Sequence, residues 1–320
     1  MAKRQCYTWM MSSAITVVLC GCAPTPTGGI RVFDLATGRE SSFDAMAQAA
    51  CESDVVLFGE AHYDPICNGA EADLYDAMLT ECEKTGRAPT ILAMEFFETD
   101  TQPALDAYVN GAMVESDFVK QARQGAKYPT SHRPLIELAK RFESRVVAAN
   151  TPRRIVKDFR ESGVDYADFR PTMTAEDQAL SPPTLSAPDS PYRDRFLEFM
   201  RGAMESHGGG ASDEMRLIPD DPMRDPMSPE RMFLTQSLWD ESMSRAVARA
   251  RAESPGRNVL LVVGGFHVER GGGTTQKLRT LRPQDRILVV RYRDSEAGID
   301  MTSADEKSAD FLIVGQTETP

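Results

Sequence analysis

Short apolar runs rich in β-branched residues recur along the chain, each closed by a polar or glycine-rich break. They occupy residues 54–58, 90–97, 145–150, 258–263 and 286–292, with a further run at 310–314. Runs this short, apolar without alternation, read as parallel strands buried on both faces. Residues 30–35 alternate instead and stop at Thr37-Gly38, which predicts an edge strand entering a turn. The run at 310–314 is likewise expected at an edge. Helical periodicity separates the runs: a short helix capped by Ser42, then residues 69–84, 102–108, 116–122 and 135–142. Strands alternating with helices predict an α/β fold, a largely parallel β-sheet flanked by helices.

The rhythm breaks between about residues 155 and 230. This stretch holds many of the prolines and methionines, the Gly208-Gly209-Gly210 run and one clear helix at 193–206. A long patterned helix follows at 230–253, with Met232, Phe233, Gln236, Trp239, Met243, Ala246 and Val247 in register. The region reads as a smaller helical cap subdomain inserted between the third and fourth buried strands, walling one side of a pocket. Its methionines (Met200, Met204, Met215, Met223, Met227, Met232) suit either an adaptable ligand surface or plain core.

Chemistry concentrates where the strands end. Gly59-Glu60-Ala61-His62 closes one run and Gly264-Gly265-Phe266-His267 another, using two of the chain's four histidines. In open α/β sheets ligands bind outside the carboxyl ends of the strands, so both motifs belong to one rim. Glu95 and Asn150 end two further strands. An unpaired buried polar group costs about 1–3 kcal/mol, so four polar strand ends point to a site. Glu60, His62, Glu95 and His267 are candidates to hold a divalent transition metal, or to act as general base and its partner. Gln236 and Asp240, four apart on one helical face, are expected to orient the rim histidines. The run Gly271-Gly272-Gly273-Thr274-Thr275 before a helix at 276–281 offers backbone N–H groups to an anion, although a plain loop suits it better. Arg153 and Arg154 offer a carboxylate or phosphate partner. His132 and His207 read as surface residues.

The N-terminus reads as a targeting segment. Lys3 and Arg4 precede a mostly apolar stretch, and Leu19-Cys20-Gly21-Cys22 resembles a bacterial lipobox with Cys22 as the lipidated residue. An ordinary secretory signal is the alternative. The expected organisation is a signal peptide at 1–21, a tether at 22–29 and one α/β domain at 30–320. Two or three acyl chains anchor a lipoprotein stably, and the absence of aspartate after Cys22 favours an outer-membrane address in the cell envelope. The formal net charge is −12, and loss of Lys3 and Arg4 makes it more negative still. That excess argues against nucleic acid as a partner. Cys51, Cys67 and Cys82 remain in the mature chain; an oxidising compartment permits a disulfide, with Cys67–Cys82 the expected pair.

Several blocks together resemble the ChaN-like haem-binding uptake proteins. They are Val32-Phe33-Asp34-Leu35-Ala36-Thr37-Gly38, Val55-Val56-Leu57-Phe58-Gly59-Glu60-Ala61-His62, Met94-Glu95-Phe96-Phe97, Ala148-Ala149-Asn150-Thr151-Pro152-Arg153, Gln236-Ser237-Leu238-Trp239-Asp240-Glu241-Ser242-Met243 and Gly264-Gly265-Phe266-His267-Val268. The resemblance implies a surface lipoprotein of iron acquisition in the wider Tiki/TraB/erythromycin-esterase superfamily. It implies haem coordinated by tyrosine, for which Tyr63, Tyr108, Tyr128 and Tyr166 are candidates, and two subunits pairing around stacked haems as a homodimer. The sequence departs from the family at Cys67, Asn68 and Glu71, where histidine and glutamine are usual. Two functions follow: a lipoprotein binding haem or another iron compound, or a metal-dependent hydrolase built on the paired G-x-x-H rim.

Overall fold

The computed structural model describes residues 29–206, 222–295, 298 and 300–316. Its eight strands form one sheet: β1 (Ile30–Asp34), β2 (Arg39–Ser41), β3 (Val55–Glu60), β4 (Ile91–Glu98), β5 (Val146–Asn150), β6 (Val259–Gly264), β7 (Ile287–Arg293) and β8 (Phe311–Gly315). Their spatial order is β2-β1-β8-β7-β3-β6-β4-β5. Strands β3 to β8 run parallel, and β1 alone opposes its neighbours β2 and β8. Two edge expectations are corrected. β2 covers β1, and β8 lies inside the sheet between β1 and β7. Leu312, Ile313 and Val314 are fully buried, as their unbroken apolar character requires of a strand covered on both faces.

The helices described are α1 (Phe43–Glu52), α2 (Pro65–Lys84), α3 (Gln102–Val109), α4 (Glu115–Gln121), α5 (Arg133–Arg141), α6 (Arg153–Ser162), α7 (Tyr166–Phe169), α8 (Ala175–Leu180), α9 (Pro191–Ser206), α10 (Pro229–Glu253) and α11 (Gly273–Leu281). Side chains alternate between the two faces of the sheet, as strand geometry demands. Val56, Phe58, Leu92, Met94, Leu260 and Val262 pack against Met46, Leu74, Leu105, Phe118 and Leu135 from α1 to α5. Val55, Leu57, Ile91, Ala93, Val259, Leu261 and Val263 pack against Met243, Val247 and Ala250 of α10 and Leu278 of α11. Each of the Val, Leu, Ile, Phe and Met side chains among them stabilises the fold by roughly 1.5–3 kcal/mol relative to exposure.

α2 begins before the expected Gly69. The Asp64 carboxylate accepts hydrogen bonds from the backbone N–H groups of Ile66 and Cys67, both at 2.9 Å, and Pro65 opens the helix. This N-cap also settles the cysteines. Cys67 and Cys82 share α2, where a rise of about 1.5 Å per residue sets them well beyond the reach of a disulfide. Cys51, Cys67 and Cys82 are all free thiols, so the expected pairing is not made.

Between β5 and β6 the chain builds α6 to α10, three more helices than expected there. α10 packs on β5, α6, α9 and α11. Tyr192, Phe196 and Leu197 of α9 meet Phe233 of α10, and Phe266 packs beside them. Met200 and Met232 are partly buried against that cluster, whereas Met204 and Met227 are exposed. The targeting segment, Cys22, the tether up to residue 28, His207, the Gly208-Gly209-Gly210 run and Met215 lie outside the described residues. No described helix is long and apolar enough to cross a membrane.

Candidate functional site

Glu60, the last residue of β3, is buried and holds two histidines. His62 Nδ1 donates to Glu60 Oε1 at 2.8 Å, and His132 Nε2 donates to Glu60 Oε2 at 3.1 Å. His132 stands at the N-cap position of α5 and is 2% exposed, which overturns its reading as a surface residue. Helices that cross back between parallel strands run antiparallel to them, so their first turns rise at the same rim as the strand carboxyl ends. His132 therefore reaches Glu60 from α5. Phe96 stacks on its ring at 3.6 Å between centroids, and Ser131 Oγ lies 3.4 Å from its Nδ1.

The same geometry brings in Glu71 from the early turns of α2. It is fully buried, its Oε1 accepts from Asn68 Nδ2 at 3.0 Å, and its Oε2 has no hydrogen-bond partner. Burial pushes the Glu71 carboxyl well above the usual range, and the Glu60 charge adds to the effect. Burial acts on Glu60 in the same direction, but the hydrogen bonds from His132 and His62 outweigh it and hold Glu60 at about 2. His62 is raised, chiefly by its bond to Glu60.

The second half of the rim centres on His267, in the short 3-10 turn after β6. His267 Nδ1 donates to Asp240 Oδ1 at 2.7 Å. Tyr192 of α9 donates to Asp240 Oδ2 at 2.8 Å, and Thr274 Oγ1 donates to Asp240 Oδ1 at 2.9 Å. Gln236 lies over the ring, its Nε2 at 3.2 and 3.3 Å from the two ring nitrogens, and also donates to Tyr192 Oη at 3.1 Å. Both α10 residues singled out from sequence thus contact His267. Burial opposes the charged form of this imidazole, but the Asp240 and Glu95 charges outweigh it and raise its pKa to about 9. Asp240 also places a carboxylate beside the first turn of α11, where the helix dipole favours one. Asp240 reaches this turn through the Thr274 hydroxyl.

Glycines let the halves meet. A Cβ on Gly264 would lie 2.9 Å from His62 Cε1 and 3.6 Å from Glu95 Oε2, and one on Gly59 would lie 2.8 Å from Val268 Cγ2. Glu95 accepts from Gly264 N at 2.8 Å, and its other oxygen is 3.7 Å from His267 Nε2. Glu60, His62, Glu95 and His267 thus form a chain along the rim. Among the described residues, the three side chains with ligating atoms within 4.8 Å of one another are instead Glu60, Glu71 and His132.

The remaining candidates fall in different places. Asn150 is buried with its Oδ1 unpartnered. Tyr108 is buried, donates to Glu137 Oε1 at 2.5 Å and stacks on Phe118. Tyr128 is buried against Phe118, and Tyr166 donates to Pro182 O at 2.7 Å. Tyr63 alone of these tyrosines is open, 51% exposed, beside His62 and His132. Its backbone has φ +63°, a left-handed conformation unusual for a bulky residue. Arg154 pairs with Asp177 at 2.5 Å, and Arg153 lies 3.7 Å from Glu98.

A parallel α/β sheet with a helical cap, carrying a histidine–carboxylate rim at the strand carboxyl ends, defines the class of protein. Within it, the chain belongs to the haem-binding uptake family of the Tiki superfamily, ChaN, which it matches over residues 46–278. Among solved structures it is similar to ChaN of Campylobacter jejuni, described as binding haem cofacially. There the TM-score is 0.62 at 14% identity, covering 91% of this chain and 98% of that one. The type III effector HopBA1 (TM-score 0.46, 13% identity, coverage 86% and 94%) and a mutant erythromycin esterase EreC in its open conformation (0.45, 10%, 90% and 83%) are more distant likenesses. No curated protein matches the chain in sequence.

Proposed function

We propose that the protein is an envelope lipoprotein, anchored through acyl chains on Cys22, that binds haem in iron acquisition. The observation that carries the reading is the family match across residues 46–278. The residues of the rim fit the group: Tyr63 offers an open phenol oxygen, with Phe96 and the imidazoles of His62 and His132 close by. Holding a bulky residue at positive φ costs about 1–3 kcal/mol, and a ligand role for Tyr63 explains why the rim keeps it there. When bound, haem supplies an iron centre, and Tyr63 is the residue proposed to hold it. The cofacial binding described for the Campylobacter relative supports two copies of this chain pairing around their haems. An acidic, lipid-tethered chain suits a small-ligand carrier rather than a nucleic-acid partner.

Titrating the purified full chain with haemin tests the proposal. A Soret band that is lost in Tyr63→Phe but kept in His62→Ala is the expected pattern. A wild-type protein without a haem spectrum, or a Tyr63→Phe variant with an unchanged one, refutes it.

A further inference from the structure

We propose that Glu60, Glu71 and His132 form a buried site for a divalent transition-metal ion, separate from the haem-binding residue Tyr63. Each side chain has one polar atom held by a neighbour. His62 holds Glu60 Oε1 at 2.8 Å, Asn68 holds Glu71 Oε1 at 3.0 Å, and Ser131 lies 3.4 Å from His132 Nδ1. The atoms to ligate are the unpartnered Glu71 Oε2 and the hydrogen-bonded pair Glu60 Oε2 and His132 Nε2, the imidazole proton then being carried on Nδ1 toward Ser131 Oγ. The three residues bring ligating atoms within 4.8 Å of one another, and His132 Nε2 is 3.1 Å from Glu60 Oε2. Bonds of about 2.0–2.2 Å to a common ion reach ligand atoms up to about 4.4 Å apart, so the 3.1 Å pair lies within that reach and a separation near the 4.8 Å bound closes by a small side-chain movement.

The second observation is Glu71 itself, fully buried with an oxygen that no donor satisfies. Two carboxylates facing each other out of water can both be ionised only with a positive charge between them. A divalent cation supplies it, and with a neutral imidazole the site carries no net charge. One nitrogen and two oxygen donors suit zinc, manganese or iron rather than the thiolate-loving ions. Each ligand also has the supporting contact that fixes ligand orientation in metal sites. Cys67, though close in sequence, is not in the ligand group. His62, half-exposed and bonded to Glu60, stands between the buried oxygens and solvent.

The test uses the full chain, stripped with chelator and dialysed against Zn2+ or Mn2+, with metal content measured after removal of free ion. Stoichiometric uptake is expected. Glu71→Gln keeps the shape and the Asn68 contact but should weaken binding by more than the roughly 10–100-fold lost with a supporting hydrogen bond. Glu83→Gln, an exposed charge near the far end of α2, should bind as wild type does. The EPR spectrum of Cu2+ on the wild-type chain, which needs no variant to fold, should show a single bound imidazole nitrogen. No uptake by the wild type, an unaffected Glu71→Gln, or two imidazole nitrogens would each overturn the site. Haemin titration of the same samples keeps the readings apart: haem binding without metal sinks only this one, and metal without haem only the other.

Discussion

Gly273 answers two demands at the residue scale. Its φ is +51°, and an added Cβ would run into the carbonyl oxygen of His267 and lie 2.9 Å from Asp240 Oδ1. Gly86 shares the positive φ, at +67°, but has open space around it. Alanine at 86 should therefore cost only the left-handed penalty of about 1–2 kcal/mol. Alanine at 273 should cost about 3 kcal/mol or more, because backbone must move as well. Urea midpoints of the two variants decide this, and equal losses would contradict it. The glycine run at 271–273 was visible in the sequence, but its purpose was not. Composition shows that the backbone can bend there, and only the neighbouring His267 and Asp240 show why it must.

At the scale of elements, α6 depends on a residue far along the chain. Its last carbonyls have no partner inside the helix, and Arg231, fully buried at the start of α10, supplies one. The guanidinium donates to Arg160 O at 3.0 Å, to Phe159 O, to Ser162 Oγ at 3.1 Å and to Val164 O at 2.8 Å, and it packs 4.3 Å from the centre of the Phe159 ring. Leaving buried carbonyls unsatisfied costs about 1–3 kcal/mol each, so Arg231→Ala should lose about 3 kcal/mol or more. Arg231→Lys should recover only part of it, lacking the planar fork. Chemical denaturation measures both, and a loss under about 1 kcal/mol for the alanine variant would dismiss the role. The buried strands were legible because Val, Ile and Leu repeat without interruption. α6 was not, since it takes its C-terminal partner from α10, far along the chain.

The whole molecule joins the sheet to its cap through His267, between β6 and the α9–α10 pair. The charged imidazole is favoured in the fold by Asp240 and Glu95, with its pKa near 9 against an ordinary 6.5. A raised pKa of this kind contributes stability in full below about pH 6.5 and loses it as pH rises through about 9. The stability difference between wild type and His267→Gln should therefore be largest in mild acid and shrink across that window. Denaturation curves at several pH values give the answer, and a difference that grows with pH would reverse the assignment.

Sequence by itself determined the parallel core, the rim at the carboxyl ends of β3, β4, β5 and β6, and the family. These rest on local signals: unbroken apolar runs, breaks after them, and motifs read residue by residue. The tertiary structure alone decided which polar groups share that rim. His132 and Glu71 lie on crossover helices whose first turns rise beside the strand ends; Glu71 stood out only as a departure from the family pattern, and His132 carried no mark of its own. Tyr192 reaches Asp240 from the cap for the same reason. The partners of a strand end are set by how helices pack across the sheet, and that packing depends on contacts distant in sequence.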